Sequence, residues 1–350
     1  MNKWSVVLVV SLVICLLVTL GCGSKPATPQ THEKVDILIL GGTGGGAAYI
    51  KCAGLAEIIN KHHPWLRATV METFGSSDNI KKFETNPNSF GIVSDVTYWT
   101  ALEGGKPFEK KQTHVRNQAL SALTGVALVT IDPKIKTKQD LVGKKISVGA
   151  RGSSISQSSE LLLGDIWGMW DKIDPQYTEW KAGGEAIKDG LIHAMTVVIN
   201  LATDDSGKVI WVAHPSFSEI MSLRDVYFIG PTEKEVQDAA KKKGWPLSYL
   251  HLPAQALGPR QKEAAGTFSL ANNHMCGASM TEEVAYEITK VHLDYYKEWW
   301  TYHAGAKIIS PDTLAFAPVL TENEFHPGAL KLYKEKGVKI YYGGKSPPLQ

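Results

Sequence analysis

Short apolar runs alternate along the chain with segments whose apolar residues recur at helical spacing. The apolar runs predict strands at residues 35–40, 67–73, 90–93, 120–131, 146–149 and 194–201. Helical spacing predicts helices at residues 47–62, around 80–83, after 154, at 186–190 and in the region after 282. Repeated strand–loop–helix units predict an α/β fold with a mainly parallel sheet and helices on both faces. Because the unit begins again after Ile146, we expect two such lobes.

Glycine and hydroxyl residues follow three of the predicted strands, in the loops 42–46, 75–77 and 152–156. Ligands of open parallel sheets bind outside the carboxyl ends of the strands. Each loop also precedes a predicted helix, whose first amides and positive dipole end favour an anion. Arg151 stands at the start of the third helix and can hold a carboxylate through two hydrogen bonds. The loops together predict one anion site between the lobes, although each serine can instead simply cap its helix.

The first 21 residues predict a lipoprotein signal peptide. Lys3 is the only charged side chain before an apolar run at 6–20, which is shorter than the ~20 apolar residues of a membrane-spanning helix. The run ends in Thr-Leu-Gly-Cys at 19–22, which resembles a bacterial lipobox whose cysteine, Cys22, is lipidated and becomes the mature N-terminus. Residues 22–33 are then a polar tether. We therefore expect a lipid-anchored protein in the periplasm or at the cell surface, with a plain signal peptide or an uncleaved anchor as the alternatives.

Composition indicates an ordinary globular protein. A length of 350 residues suggests about two domains at ~150 residues each. The chain has 37 Lys and Arg against 35 Asp and Glu and no basic cluster, which argues against a nucleic-acid partner. Four cysteines are too few for a disulfide scaffold. Removal of the signal peptide and use of Cys22 leave Cys52 and Cys276, which form either a bridge or two buried thiols.

Motifs for catalysis are weak in this sequence. The glycine loop 42–46 is loosely similar to a dinucleotide-binding fingerprint, but no acidic residue ends the second predicted strand. A nucleophile elbow of the G-x-S-x-G type is not found, and the histidines lack metal-ligand spacing. We therefore expect a binding protein rather than an enzyme, with no cofactor and no metal site.

Several segments together carry a family resemblance. They are residues 42–62, 67–70, 75–79, 90–95, 140–149, 286–290 and 326–329. In this order they resemble the TAXI family of solute receptors that serve TRAP transporters, over about residues 34–337. The resemblance implies a type II periplasmic-binding-protein fold, with two α/β lobes, a hinge, and a ligand held in the cleft between them. It implies lobe 1 at 34–130 and 267–350, lobe 2 at 131–266, and connections near 130–133 and 267–271.

The resemblance also implies the cargo and the partner. We expect a monomeric receptor that binds a small organic anion, such as a dicarboxylate, a 2-oxoacid or an acidic amino acid. It would deliver this anion to a TRAP-type membrane permease driven by an ion gradient. A substrate-binding lipoprotein of an ABC importer is the main alternative because it shares the fold, and an exported enzyme or an extracytoplasmic sensor lobe is a more distant one.

Ten residues are expected to bind the ligand. They are Thr43, Gly44, Gly45, Tyr49, Ser76 and Ser94 from lobe 1, and Arg151, Ser153, Ser154 and Asn200 from lobe 2. Truncation of Arg151, if it is a buried charged partner, should weaken anion binding by about 2 kcal/mol or more. Trp99, which follows the predicted third strand, is the tryptophan expected nearest the cleft.

The sequence also departs from the family pattern. It has Ala48-Tyr49-Ile50 where the family has two tyrosines and a proline, and residues 151–155 begin with arginine where the family has Pro-Gly-Ser-Gly-Thr. Lost aromatic area and a gained arginine indicate a different ligand from the family's glutamate and favour a more acidic one.

Overall fold

Two groups of parallel strands lie towards the two ends of one mixed sheet. The computed structural model describes residues 32–343 and 345, without the side chains of 215 and 216. The predicted signal peptide, Cys22 and most of the tether at 22–33 lie outside the described residues. Residues 32–34 have no helix or strand. Among the described residues, no helix combines the length and apolar character that crossing a bilayer requires.

The first parallel group contains the first three strands in the order β2-β1-β3. These strands are β1 (Val35–Leu40), β2 (Leu66–Met71) and β3 (Ser89–Ser94), each close to its predicted range. Each strand is followed by a helix, namely α1 (Ala47–His62), α2 (Ser76–Phe83) and α3 (Asp95–Glu103). In α1 the predicted apolar face is confirmed, because Leu55, Ile58 and Ile59 are all buried.

The second parallel group has the order β7-β5-β6. Its strands are β5 (Lys145–Ser147), β6 (Asp174–Gln176) and β7 (Ala194–Thr203). Its helices are α4 (Ser154–Glu160), which continues as a π-helical turn at Leu161–Ile166, and α5 (Trp180–Lys188). The predicted α/β fold is therefore confirmed, and this is the two-lobe arrangement that the resemblance implies.

Two long strands join the parallel groups. They are β4 (Val115–Thr130) and β11 (Ala265–Gly277), which pair with each other in antiparallel fashion. β11 also pairs with β3, and β4 pairs with β7, again antiparallel. In the described part of the chain, eleven strands thus form one sheet whose main order is β2-β1-β3-β11-β4-β7-β5-β6. The parallel pattern predicted from the sequence holds within each group but not for the strands between them.

The remaining elements border the sheet. The strands are β8 (Val209–Val212), β9 (Tyr227–Ile229) and β10 (Tyr249–Leu252). The helices are α6 (Pro215–Leu223), α7 (Glu233–Lys243), α8 (Glu282–Asp294), α9 (Tyr296–Trp299) and α10 (Pro327–Lys336). Short 3-10 turns lie at Lys138–Leu141, Trp170–Lys172, Ala304–Ile308 and Glu322–Glu324. The helical region predicted after residue 282 is confirmed by α8.

A β-bulge interrupts the pairing of β4 with β11. Asn272 pairs with Ala122, and the next residue, Asn273, pairs with Leu120, so Ser121 on β4 has no partner on β11. A bulge leaves one residue unpaired, bends its strand and often lies beside a functional site. The backbone oxygen of Ser121 is therefore available to a side chain.

A second bulge lies three residues earlier on β4. His274 pairs with Ala119 and Met275 pairs with Asn117, which leaves Gln118 as the extra residue. The hydroxyl of Tyr333 on α10 donates to the backbone oxygen of Gln118 at 2.6 Å. Each bulge thus provides a carbonyl that binds a side chain from outside the sheet.

Candidate functional site

A cavity of about 290 Å³ opens where the loops of the two parallel groups meet. Its walls come from the loops that follow β1, β2, β5 and β6. The volume lies near the lower end of the ~300–1,000 Å³ typical of small-molecule sites. This is the place that the rule for open parallel sheets predicts.

The floor of the cavity is one face of four adjacent strands, β3, β11, β4 and β7. Leu270 pairs with Thr124 across β11 and β4, and Thr124 pairs with Asn200 across β4 and β7. Side chains alternate between the two faces of a strand, so every second residue can point into the cavity. The floor residues are Ile92, Ala122, Thr124, Thr196, Val198, Asn200, Leu270 and Asn272.

The loops of the first group are tied together by Asn79. Its Nδ2 atom donates to the backbone oxygens of Leu40 at 3.2 Å and Ile92 at 2.8 Å. Its Oδ1 atom accepts from the Thr73 hydroxyl at 2.7 Å, and Thr73 Oγ1 in turn accepts from the Gly42 amide at 3.0 Å. One buried amide therefore fixes the loops at the ends of all three strands.

Two of the residues predicted from the first group line the cavity. Thr43 is exposed at its mouth, and Ser76 is buried in its wall. Ser76 Oγ accepts a hydrogen bond from the Ser94 amide at 3.0 Å, so it also holds the end of β3. The hydroxyl of Ser76 can still donate to a ligand.

The other four predicted residues of the first group do not line the cavity. Gly44 and Gly45 are exposed, and the Gly44 amide donates to Glu72 Oε1 at 2.7 Å. Tyr49 is half-buried and packs against Gly41. Ser94 is fully buried and caps α3, since its Oγ accepts from the Thr97 amide at 3.4 Å. Capping, which each loop serine can do, is the role that the geometry gives Ser94.

All four predicted residues of the second group, Arg151, Ser153, Ser154 and Asn200, line the cavity. Ser153 also caps α4, because its Oγ accepts from the Ser156 amide at 3.2 Å. The expectation of a buried Arg151 is wrong. Arg151 is exposed, and its guanidinium carbon lies 3.8 Å from the centre of the Tyr177 ring, so it stacks on an aromatic face at the mouth of the cavity.

Lys51 is a cavity residue that sequence reasoning missed. It lies on α1 with a side chain only 3% exposed, and its Nζ atom donates to the bulged backbone oxygen of Ser121 at 2.9 Å. Burial lowers the pKa of Lys51 from 10.5 to about 8, because an ammonium loses hydration in the interior. Helical spacing could have found it, since Lys51 precedes the buried Leu55 and Ile58 by one and two turns on the same face.

The ionisable groups near Lys51 are a thiol and two imidazoles, those of Cys52, His274 and His303. Burial raises the pKa of Cys52 to about 12, so this thiol is not a nucleophile at neutral pH. Burial also lowers the pKa of His303 to about 4, with a smaller contribution from Lys51. Among the described residues, no carboxylate forms an ion pair with Lys51.

Cys52 and Cys276 are both free and buried, so of the two alternatives the structure has the thiols. Cys52 Sγ lies 3.8 Å from His274 Nε2, and His274 Nδ1 lies 2.7 Å from His292 Nε2. His292 Nδ1 donates to the backbone oxygen of Ile288 at 2.8 Å. The thiol and both imidazoles can therefore form all of these hydrogen bonds with the two rings neutral. These groups belong to the core around the first parallel group.

Aromatic side chains line the cavity from both sides. Phe74, in the loop between β2 and α2, is 87% exposed. Trp180, the first residue of α5, stacks on His214 with ring centres 4.8 Å apart. Trp99 is instead buried away from the lining and packs against Trp245, with ring centres 5.2 Å apart.

Residues 39–337 match a family model described as the NMT1-like family. The chain belongs to the NMT1-like family. In the described ranges of this NMT1-like protein, no three His, Cys, Asp or Glu side chains are grouped so that they could hold a metal ion.

Solved structures with a similar fold include several binding proteins. MatC from Rhodopseudomonas palustris with bound malate is 12% identical, with a TM-score of 0.48, and the match covers 88% of this chain and 97% of that one. The periplasmic aliphatic sulphonate binding protein SsuA from Escherichia coli is 12% identical with a TM-score of 0.45, covering 90% and 96%. A TRAP periplasmic solute binding protein from a Sulfitobacter species with bound β-D-galacturonate is 12% identical with a TM-score of 0.42, covering 88% and 89%. These likenesses are too distant to assign a ligand to the NMT1-like protein.

Proposed function

We propose that this protein is an extracytoplasmic solute receptor that binds a small organic anion in the cavity between its two halves. The observation that carries the proposal is the composition of the cavity. Its lining combines loops that follow strands of both parallel groups with two cationic side chains, Lys51 and Arg151. A binding protein needs a pocket of this size and charge, and it needs no nucleophile or metal.

The two halves act as hinged lobes. Lobe 1 comprises residues 34–130 and 267–350 and lobe 2 comprises 131–266, with the long strands β4 and β11 as the connections. A ligand that touches both lobes has higher affinity for the closed state and therefore shifts the population towards it. Floor residues on β3 and β7 and wall residues after β1 and β5 would supply those contacts from the two sides.

The residues that bind the anion in this proposal are Thr43, Ser76, Arg151, Ser153, Ser154 and Asn200, with Lys51 added. Ser76, Ser153 and Ser154 stand at or just before helix starts, where hydroxyls and amides favour a carboxylate, and Thr43 lies in the glycine loop before Gly46, the N-cap of α1. Arg151 adds charge at the mouth of the cavity.

The receptor is of the TAXI type in this proposal, is anchored as a monomer through lipidated Cys22, and delivers its ligand to a TRAP permease driven by an ion gradient. The family resemblance of the segments at 42–62, 90–95 and 140–149 supports this finer assignment. Uptake by membrane vesicles that hold the permease should require this chain and an imposed ion gradient. Uptake that requires ATP and ignores the gradient would point to the ABC importer instead.

Calorimetric titration of the purified chain tests the binding function. The panel contains monocarboxylates, dicarboxylates, 2-oxoacids and acidic amino acids. At least one should bind saturably, should be recovered chemically unchanged, and at 100 times its Kd should add ~2.7 kcal/mol to the free energy of unfolding. Absence of saturable binding across the panel, or conversion of the bound compound, would refute the proposal.

A further inference from the structure

Lys51 is a buried cation whose described partner is a neutral oxygen. Its ammonium has three N–H donors, and Ser121 O accepts one of them. A buried charge is costly unless an opposite charge and further hydrogen bonds compensate it. The titratable groups facing it are Cys52, His274 and His303, none of which is an anion at neutral pH. Because Lys51 lines the cavity, an anionic ligand can supply the missing charge.

Two asparagine amides lie on the floor on either side of β4. Asn272 on β11 pairs with Ala122, and Asn200 on β7 pairs with Thr124. Asn200 is 8% exposed, and neither side-chain amide has a hydrogen-bond partner among the described residues. Buried polar groups in folded proteins are nearly always hydrogen-bonded. A ligand on this floor would therefore satisfy the amide of Asn200, and it could also reach the partly exposed amide of Asn272, next to the bulge that holds Lys51.

One part of the cavity, between Phe74 and Trp180, is suited to an uncharged body. Lys51 is the only buried cation of the described lining, since Arg151 is exposed and burial lowers the pKa of His214. Phe74 and Trp180 present apolar surface from the two sides. A second carboxylate on the ligand, placed between Phe74 and Trp180, would lose water against these apolar side chains, and the exposed carboxylate of Glu179 beside Trp180 would repel it.

We infer that the ligand is a small carboxylate with a single negative charge and an apolar body. Lys51 pairs with the carboxylate, the amides of Asn200 and Asn272 hydrogen-bond its polar end, and the apolar body lies between Phe74 and Trp180. The inference rests on the proposed receptor function and narrows its ligand from organic anions in general to this class. It replaces the more acidic ligand that the arginine at position 151 favoured.

Matched probes test this by calorimetry on the full chain at pH 7. Phenylpyruvate and 2-oxoglutarate share a 2-oxoacid end and differ in having a phenyl ring or a second carboxylate. Phenylacetate and phenylacetamide share a body and differ in charge. We expect phenylpyruvate to bind at least tenfold more tightly than 2-oxoglutarate, and phenylacetate at least tenfold more tightly than phenylacetamide.

Variants of Lys51 and Asn200 provide a second test of the inference. Lys51→Met should lower the affinity for phenylpyruvate at least 100-fold, because it removes the opposite charge. Lys61→Met, at an exposed position of the same helix, should leave the affinity unchanged. Asn200→Asp, which keeps the shape but adds a negative charge, should weaken phenylacetate at least tenfold and weaken the uncharged phenylacetamide much less, so the preference for the charged probe should shrink. This variant serves as the test if Lys51→Met does not fold in thermal unfolding.

The outcomes separate the two proposals. Tighter binding of 2-oxoglutarate than of phenylpyruvate, or unchanged affinity in Lys51→Met, overturns the inference and leaves the receptor function standing. Failure of every organic anion to bind the wild-type chain overturns the receptor function and the inference with it.

Discussion

The hydroxyl of Thr97 on α3 donates a hydrogen bond to Oε1 of Gln157 on α4. The helix α3 follows β3 of the first parallel group, and α4 follows β5 of the second, so this bond joins the two halves of the molecule. Both side chains are buried, and the Nε2 atom of Gln157 has no partner among the described residues. Thr97 and Gln157 are thus joined by a single polar bond between two desolvated groups.

Removal of that donor should destabilise the protein. Thr97→Val keeps the shape but leaves both polar atoms of Gln157 unpaired, which should lower the free energy of unfolding by about 1–3 kcal/mol. Gln157→Leu removes both polar atoms and should change it by less than about 1 kcal/mol, because Thr97 keeps its bond to Ser94. Urea denaturation measures both, with Thr85→Val as an exposed control. Equal effects of Thr97→Val and Thr85→Val would contradict the prediction.

The lowered pKa of Lys51 leads us to expect that the stability of the fold rises with pH in the alkaline range. The unfolded chain holds the Lys51 proton up to pH about 10.5, whereas the folded chain loses it near pH 8. Between these values the unfolded state binds more protons, so the free energy of unfolding rises with pH, by about 3 kcal/mol in all. Denaturation of wild type and Lys51→Met at pH 7.5 and 10.5 isolates this contribution. A constant difference between the two proteins across this range would count against a buried ammonium.

Anion affinity should change with pH in the opposite direction. The ligand needs the protonated ammonium, so its apparent affinity should fall about tenfold between pH 7 and pH 9, once the pH exceeds the Lys51 pKa of about 8. Cys52, with a pKa of about 12, stays a thiol in this window, and burial keeps the imidazoles of His274 and His303 neutral. Calorimetry with phenylpyruvate, whose own charge is constant over this range, measures the fall. A flat profile would exclude Lys51 as the partner.

Arg151 should contribute less than Lys51. Because it is exposed and stacked on Tyr177, its charge is screened by water. Arg151→Ala should therefore weaken phenylpyruvate binding by less than about tenfold, which corresponds to ~1.4 kcal/mol. Arg151→Lys, which keeps the charge but loses the planar stack, separates the two contributions. A loss of 100-fold or more in Arg151→Ala, measured by calorimetry, would mean that the arginine closes over the ligand.

Membrane attachment should depend on Cys22. Replacement by alanine removes the thiol that the lipobox resemblance predicts to be lipidated, so Cys22→Ala should not incorporate labelled palmitate and should leave the membrane fraction. Cys15→Ala, inside the predicted apolar run, is the matched control and should behave as the wild type does. Equal labelling of both variants would refute lipidation at position 22.

The local sequence predicted those strands and helices whose apolar residues follow a regular pattern. β1 is apolar at every position except Asp36, and α1 has a regular apolar face, so both were predicted within a few residues. β11 was not predicted, because Asn272, Asn273 and His274 interrupt its apolar pattern. These polar side chains are accommodated by pairing with β3 and β4, which is a property of the assembled sheet.

The candidate site was only partly predictable for a similar reason. Loop composition located the cavity, since glycine and serine at helix starts are a local signal. The roles of individual side chains depend on distant partners. Ser94 is a cap because Thr97 lies one turn later, and Lys51 is buried because a bulge in β4, 70 residues away, provides its acceptor. Charged residues on helices usually face water, which is why Lys51 escaped notice.

The two bulges of β4 connect the sheet to two helices, α1 and α10, through directional hydrogen bonds. Apolar contact alone allows a helix to slide over a sheet, because it has no preferred direction. A hydrogen bond to one particular carbonyl prevents this sliding, because it forms at only one position of the helix. Lys51 links α1 to the backbone oxygen of Ser121, and Tyr333 links α10 to the backbone oxygen of Gln118. The position of each helix along the sheet is therefore set by a hydrogen bond to one peptide group. An insertion or deletion in this stretch of β4 would therefore displace whole helices.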